Sequence, residues 1–335
     1  MGTLLAIATI VIAIVLTSAS FGPHFWLLAA MLIVMCVAAL LRPNPAVFVA
    51  GTFLAGFSAL MINPIVASTD IMRALRRAAR GDDAEAAAAQ SAIEFYDGLA
   101  VFAAPVEIAI ALLVVGATIF AARRSLQGFY PFLLEASEGI AAFIVRVGQI
   151  ATVLFIPMIL FILYDVVQRK YLDFDPEFTN TQIYSIFTST RLQEAQWHLH
   201  AALFLLTFGF AYVKDAHVRI ELVRERLGRR TRVWIELLGC CLFLIPYCFV
   251  IFTYGYEFAR NSYNIGEVSS ALTGLPYRFI IKSILPIGFV ILALAGLSVA
   301  LKCIVYLFGP EHLRARSGYY AGTHHADMPE QATAS

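Results

Sequence analysis

Few side chains in this sequence combine a reactive type with a position inside an apolar stretch. His198 and His200 share one apolar run, but at i, i+2 they point to different faces of a helix, which is wrong for a shared metal ion or haem iron. The five cysteines lie in or beside apolar runs without a C-x-x-C pair. That pattern is typical of small apolar side chains in helix packing. The sequence therefore predicts no catalytic residue, no metal site and no cofactor.

Glu107 is the acid deepest in the N-terminal apolar runs, within the stretch AAPVEIAIALL. A carboxylate inside a bilayer is costly and usually faces protein or water. Pro105, just before it, leaves a backbone carbonyl of the preceding turn without its donor. Glu107 could hold helices together or belong to an ion path. We favour the first role, because no second ionisable group stands at similar depth in the other N-terminal runs.

The elements that carry these residues are predicted to be membrane helices. Hydrophobic residues make up 60% of the 335 residues and charged residues 14%, whereas soluble domains are nearer a quarter charged. A spanning helix needs roughly 17–25 mostly apolar residues. Windows of this kind lie at 3–19, 24–41, 46–67, 99–122, 147–164, 197–213, 237–256 and 283–301. We therefore expect an all-α integral membrane protein with about eight transmembrane helices, the first being a span rather than a cleaved leader.

The segment 214–232, which reads KDAHVRIELVRERLGRRTR, sets the expected orientation. It carries seven basic residues against three acids and joins two charge-free apolar runs. Short loops rich in Lys and Arg face the cytoplasm. We therefore place this segment and both ends of the chain on the cytoplasmic side. The segments 168–196 and 257–282, poor in basic residues, then lie outside.

The segment 66–98 weakens this topology. Alternation of the spans places it outside, yet it carries four arginines. Its alanine-rich halves, broken at Gly81, predict a helical hairpin lying on the membrane surface. A solvated linker is the open alternative.

Four motifs follow one another in the second half of the chain. They are DVVQRKY at 165–171, LQEAQW at 192–197, HVRIE at 217–221, and the loop series GEVSS, GLPYR and LPIGF between 266 and 289. In this order, over roughly residues 135–310, they resemble the DctQ-like small membrane subunit of tripartite ATP-independent periplasmic (TRAP) transporters. The unit of that family has four spans, so the resemblance explains neither the first 130 residues nor the long external stretch 172–191.

The resemblance divides the chain into three parts. Residues 1–130 form an N-terminal transmembrane extension of about four spans, with the extramembrane helical loop at 66–98. Residues 131–310 form the DctQ-like four-span small permease domain. We expect residues 311–335 to be a disordered cytoplasmic tail.

Membership of this family implies a subunit of a secondary transporter in the bacterial inner membrane, and not an enzyme. A periplasmic solute-binding protein captures the solute, typically an organic acid, and a large permease subunit moves it in symport with sodium. The small subunit scaffolds the large one and helps dock the binding protein. The implied partners are thus the large permease subunit, the solute-binding protein and the lipid bilayer. Neither the solute nor the stoichiometry follows from the resemblance.

Two pairs of residues mark the predicted outer ends of spans. Asp165 and Arg169 are i, i+4, a spacing that allows an ion pair. With the two residues after it, Arg169 suits an interfacial anchor, and partner docking is the alternative. Glu194 suits the positive end of a helix dipole, and Trp197 suits the headgroup level. Glu194 could instead pair with a cation on a partner subunit.

The remaining candidates lie in the two loops that carry the later motifs. His217 and Arg219 open the cytoplasmic segment, where arginines recur at helical spacing beside aliphatic residues. This pattern predicts a short amphipathic helix whose arginines meet anionic headgroups, with partner contact as the alternative. The candidates in the last external loop, again for a partner interface or membrane anchoring, are Glu267, Pro276, Tyr277 and Arg278.

Two other classes of function remain open. A membrane anchor for a haem-containing redox enzyme needs axial histidines on facing helices, yet only His198 and His200 lie in a window. A self-contained channel or transporter needs ionisable groups or interrupted helices along its pathway, and the motif-bearing spans hold almost none. Nucleic acid is not an expected partner, because the sequence has no basic domain or nucleic-acid motif.

Overall fold

The computed structural model describes residues 1–18, 25–61, 103–216 and 226–317, together with single helical positions at 78, 87 and 90. Regular structure within these residues is entirely helical, which confirms the all-α fold class. Long runs of apolar residues without a polar face favour helices surrounded by other apolar groups, because every backbone polar group is then bonded within its own segment.

The first of two compact units covers Met1–Gly139. Its helices among the described residues are α1 (Gly2–Ser18), α2 (Phe25–Leu40), α3 (Pro45–Met61), α4 (Ala103–Arg124) and the first part of α5 (Phe129–Thr152). Helix α1 packs against α2 and α3, and α4 packs against the same two helices. Unit 1 is therefore a small helical bundle.

Asn44 fixes the turn between α2 and α3. Its side-chain oxygen accepts hydrogen bonds from the backbone N–H groups of Ala46, at 3.0 Å, and Val47, at 3.2 Å, which are donors that the first turn of α3 would otherwise leave without partners. Its own N–H donates to the Thr3 hydroxyl at 3.0 Å. One residue thus caps α3 and ties the turn to the start of α1.

The second unit covers Ile140–Ser335. After the end of α5 its described elements are α6 (Phe155–Val167), π1 (Gln168–Leu172), α7 (Pro176–Thr179), α8 (Gln182–Ile186), α9 (Ser189–Val213), α10 (Arg229–Gly239), π2 (Cys240–Leu244), α11 (Ile245–Asn264), α12 (Phe279–Phe308) and α13 (Glu311–Ser317). The predicted external stretch 172–191 thus contains two short helices, which the side chains of Asp175 and Thr181 cap.

Helix α12 is the centre of unit 2. It packs against α9, α10 and α11, and 67% of its most apolar window is buried. Small residues bring its neighbours close: a Cβ on Gly288 would lie 2.8 Å from the Leu205 carbonyl oxygen of α9. Such close approach of backbones is typical of packing between membrane helices.

A cluster of buried side chains lies where α10 and π2 meet the second half of α12. It contains Val233, Cys240, Val299, Cys303 and Leu307 among others. Both cysteines of this cluster are buried and form no disulfide, in keeping with a packing role.

The prediction of eight spans is only partly matched. Within the described residues, three helical stretches are long and apolar enough to cross a membrane: Phe129–Leu172, Arg229–Asn264 and Phe279–Phe308. Shorter apolar helices occur at Gly2–Ala13 and Pro45–Ser58. The chain is thus an integral membrane protein by its helices, and the count of eight stays a prediction.

The structure adds detail to two of the predicted segments. The window 147–164 is not one uninterrupted helix, because Val153 and Leu154 donate to carbonyls three residues back, at 3.1 and 3.0 Å, and so tighten the chain into a turn between α5 and α6. The tail expected to be disordered from residue 311 begins with α13, where Arg314 donates to the Gly309 carbonyl at 3.2 Å. The predicted hairpin at 66–98, apart from the single positions 78, 87 and 90, and the tail 318–335 lie outside the described residues.

Candidate functional site

The ends of α6 and α11 and the starts of α9 and α12 meet at one end of unit 2, which we call the loop end. The contacts that join them come from the segment 172–188 and from the loop 265–278. Eight of the ten predicted site residues lie here. The other two, His217 and Arg219, lie outside the described residues.

Glu194, in the second turn of α9, holds the loop 265–278 in place. One carboxylate oxygen accepts a hydrogen bond from the Ser269 hydroxyl. The other accepts the backbone N–H of Leu275 at 2.6 Å. Only 9% of Glu194 is exposed, so its charge is stabilised by these donors in place of water. We call these three residues the Glu194 clamp.

Gly274 makes the clamp possible. A Cβ at this position would collide with the Ser269 side chain and would lie 2.9 Å from a carboxylate oxygen of Glu194. The loop therefore reaches Glu194 only because residue 274 has no side chain.

Burial raises the pKa of Glu194, but four other effects outweigh it. These are the hydrogen bonds from Ser269 and from the N–H of Leu275, the positive charge of Arg278 and the interaction with His198, so that the pKa is lowered overall. Glu194 is therefore a carboxylate at neutral pH. It acts as an acceptor within its own chain, a different role from the intersubunit ion pair that the sequence left open.

Arg191, one turn before Glu194, joins three segments. Its Nε donates to the Thr273 carbonyl at 3.0 Å, and its Nη1 donates to the carbonyls of Ser185, at 3.1 Å, and Ile186, at 3.3 Å. A guanidinium can make these bonds at once because its donors are fixed in one plane. Arg191 is not among the predicted site residues; its only signal in the sequence is a single cation just before a span, in a segment poor in basic residues.

Asp165 and Arg169 form the ion pair that their spacing allows, with 2.6 Å between Arg169 Nη2 and Asp165 Oδ2. Asp165 is 1% exposed, whereas half of the Arg169 side chain is accessible. The Ser189 hydroxyl donates to the other oxygen of Asp165 at 2.7 Å. This bond links the end of α6 to the start of α9, so Asp165 joins two helices as well as pairing with Arg169.

A cavity of about 420 Å³ lies between the starts of α9 and α12 and the end of α11. Arg278 lies over the Trp197 ring, 5.7 Å from its centroid, and the Lys282 ammonium lies 3.9 Å from the centroid of Phe258. Glu267 forms an ion pair with Lys282. This partner, followed by the Ser262 hydroxyl and then by the charge of Arg278, lowers the pKa of Glu267. The arrangement is a cationic pocket with aromatic walls.

Pro276 and Tyr277 lie on the exposed side of the loop 265–278. Tyr277 has φ of 60°, in the left-handed region, and its ring meets the edge of Phe279 at a centroid distance of 6.2 Å. A bulky residue in this conformation is strained, so the surrounding contacts must hold it there.

The described residues contain no cluster of three or more His, Cys, Asp or Glu placed to hold a metal ion. What the loop end offers chemically is fixed charge, hydrogen-bonding groups and exposed apolar side chains. These are the means of binding a partner or a lipid.

Comparison with known protein families identifies the part of the chain that forms this end. The family model described as tripartite ATP-independent periplasmic transporters, DctQ component, matches residues 158–305. This segment runs from α6 to α12 and lies within the range that the sequence motifs indicated. No curated protein and no solved structure matches the chain. Residues 158–305 of the chain are therefore similar to the DctQ family, the small permease component of TRAP transporters.

Proposed function

We propose that this chain braces the large permease subunit of a TRAP transporter in the inner membrane and helps to receive the periplasmic solute-binding protein. In this proposal it neither moves the solute nor catalyses a reaction. Solute choice and sodium coupling belong to the partner proteins. The family match supports the assignment to the transporter, and the geometry of the loop end supports the role within it.

The observation that carries the proposal is a firmly held loop with apolar side chains pointing outward. Glu194 and Arg191, both near the start of α9, hold the loop 265–278 in place by hydrogen bonds. Ile265, Val268 and Leu272 are exposed on it, Leu272 completely. Holding apolar groups in water is unfavourable unless something covers them. A preorganised surface of this kind suits a protein partner, because little ordering is left to do on binding.

The sides of the bundle support the scaffold role. Only 17% and 22% of the most apolar windows of Phe129–Leu172 and Arg229–Asn264 are buried within the chain. Their remaining faces are apolar, as at Leu160 and Tyr254. Faces of this length are available to lipid or to the helices of a large subunit.

The first test is a pull-down of the tagged chain from native membranes in mild detergent, with mass spectrometry of what is captured. We expect a large multi-span permease in near-equal amount. Recovery of the chain alone, or with a soluble redox enzyme, would contradict the proposal.

The loop surface is tested by the pair Val268→Ser and Leu272→Ser, measured by solute uptake and by capture of the binding protein. Both should fall, while the solute preference and the capture of the large subunit stay unchanged. The control is Leu126→Ser, because Leu126 is equally exposed in the turn between α4 and α5 but lies in unit 1. A changed solute preference in the loop variant would refute the scaffold role.

A further inference from the structure

The cationic pocket at the loop end combines a cavity with fixed charges, an arrangement that suits a ligand. It lies at the N-terminus of α12, a helix of 30 residues, whose dipole favours an anion at that end. Its volume of about 420 Å³ falls in the range of small-molecule sites, which is about 300–1,000 Å³.

The charges that line the pocket select an anion of low charge. Arg278 and Lys282 supply two cations, and Glu267 supplies one carboxylate, paired with Lys282. The balance is positive. A singly charged anion neutralises this balance, whereas a dianion would leave an excess negative charge in the pocket.

The apolar lining continues from these charges into the membrane-spanning part of the bundle. Leu285 lies one turn further into α12 than Ile281, and Phe258 faces the same cavity from α11. Trp197, which also lines the pocket, is a residue type that prefers the headgroup level. The pocket thus offers a polar end and an apolar wall that runs towards the acyl region.

We propose that this pocket binds the headgroup of an anionic phospholipid. The phosphodiester lies against Arg278 and the start of α12, and an acyl chain lies along Phe258 and Leu285. A phosphodiester carries a single charge, which matches the balance of the pocket, and only a lipid would use the apolar wall. The site is independent of the role proposed above, because it requires only that the chain lies in a bilayer.

The test is native mass spectrometry of the full chain, purified in neutral detergent and titrated with dioleoyl phosphatidylglycerol or with dioleoyl phosphatidylcholine. The wild type should retain phosphatidylglycerol in preference to phosphatidylcholine. A cation near a membrane surface contributes about 1 kcal/mol to binding of anionic lipid, so Arg278→Gln should weaken retention by ~5-fold. Glu267→Gln should strengthen it by a similar factor, since it removes the opposing charge. Arg124→Gln, which removes an exposed cation at the end of α4, outside the pocket, should leave it unchanged.

The opposite response of the two pocket variants separates binding from folding, because a misfolded protein would not bind lipid more tightly. Equal retention by wild type, Arg278→Gln and Glu267→Gln would overturn the proposal. Displacement of the lipid by excess inorganic phosphate would also overturn it, since the pocket would then be a site for the free anion.

Discussion

Replacing Glu194 by alanine should release the loop 265–278 without unfolding the bundle. The substitution removes the acceptor of two hydrogen bonds, from the Ser269 hydroxyl and from the N–H of Leu275. Hydrogen bonds to a charged group contribute about 1.5–3 kcal/mol each. The Ser269 oxygen also accepts a hydrogen bond from the N–H of Ala271, at 3.2 Å, and the freed groups can meet water. We therefore place the net loss near the value of one bond, ~2 kcal/mol.

Local opening of the loop reports this loss directly. A change of ~2 kcal/mol raises the open fraction by roughly 30-fold. Hydrogen–deuterium exchange, read by mass spectrometry on the peptide that contains Leu275, measures it in the purified full chain. Exchange in α12 should not change, because the clamp acts outside its buried part.

Two further variants make the measurement decisive. Glu194→Gln keeps one oxygen acceptor for Leu275 and should raise exchange by less than the alanine variant does. Glu177→Ala removes an exposed carboxylate from α7, outside the clamp, and should leave exchange of the loop unchanged. Wild-type protection of Leu275 in Glu194→Ala would refute the claim that Glu194 holds the loop.

Three more predictions concern the clamp and the N-terminal unit. The folded-state pKa of Glu194 lies below its ordinary value of 4.5, so the clamp should be fully present above about pH 4.5 and lost as the pH falls through the lowered pKa. Hydrogen exchange of the Leu275 N–H, followed against pH, measures this loss. Loss of protection between pH 7 and 5 would contradict the lowered pKa. Gly274→Ala should open the loop as much as Glu194→Ala does, since the added methyl collides with Ser269, and in the double variant the two effects should not add. Deleting residues 1–130 should leave capture of the large permease intact, because the family match begins at residue 158; loss of capture in a well-folded deletion protein would give the extension an essential role.

The helical fold could be predicted from the sequence because apolar length alone determines where a membrane helix forms. The window 197–213, for example, lies within α9. Its start could not be placed, since Ser189 and Arg191 are polar and enter the helix through contacts with Asp165 and Thr273. The histidines in α9 lower the mean hydropathy of this helix. Apolarity alone is therefore also a weak basis for counting α9 as a span.

The sequence was enough to find most residues of the candidate site, but not to find the groups to which they bind. The spacing of Asp165 and Arg169 predicted their ion pair because both lie on one helix. The partners of Glu194 lie 75 and 81 residues along the chain, and Leu275 contributes only its backbone, which no residue pattern records. Arg191 was missed for the same reason, because all three of its acceptors are backbone carbonyls.

The central position of α12 has a consequence for how the protein is made. It is the last long helix in the described part of the chain and the most buried of the three long stretches. During synthesis α9 and α11 therefore enter the membrane before the helix that both pack against exists. Until residue 308 has emerged from the ribosome and entered the bilayer, the faces around Leu205 are covered by lipid or by another protein. Assembly of unit 2 is thus a late event, and a nascent chain that stops before residue 279 would present its unpaired helices to membrane quality control.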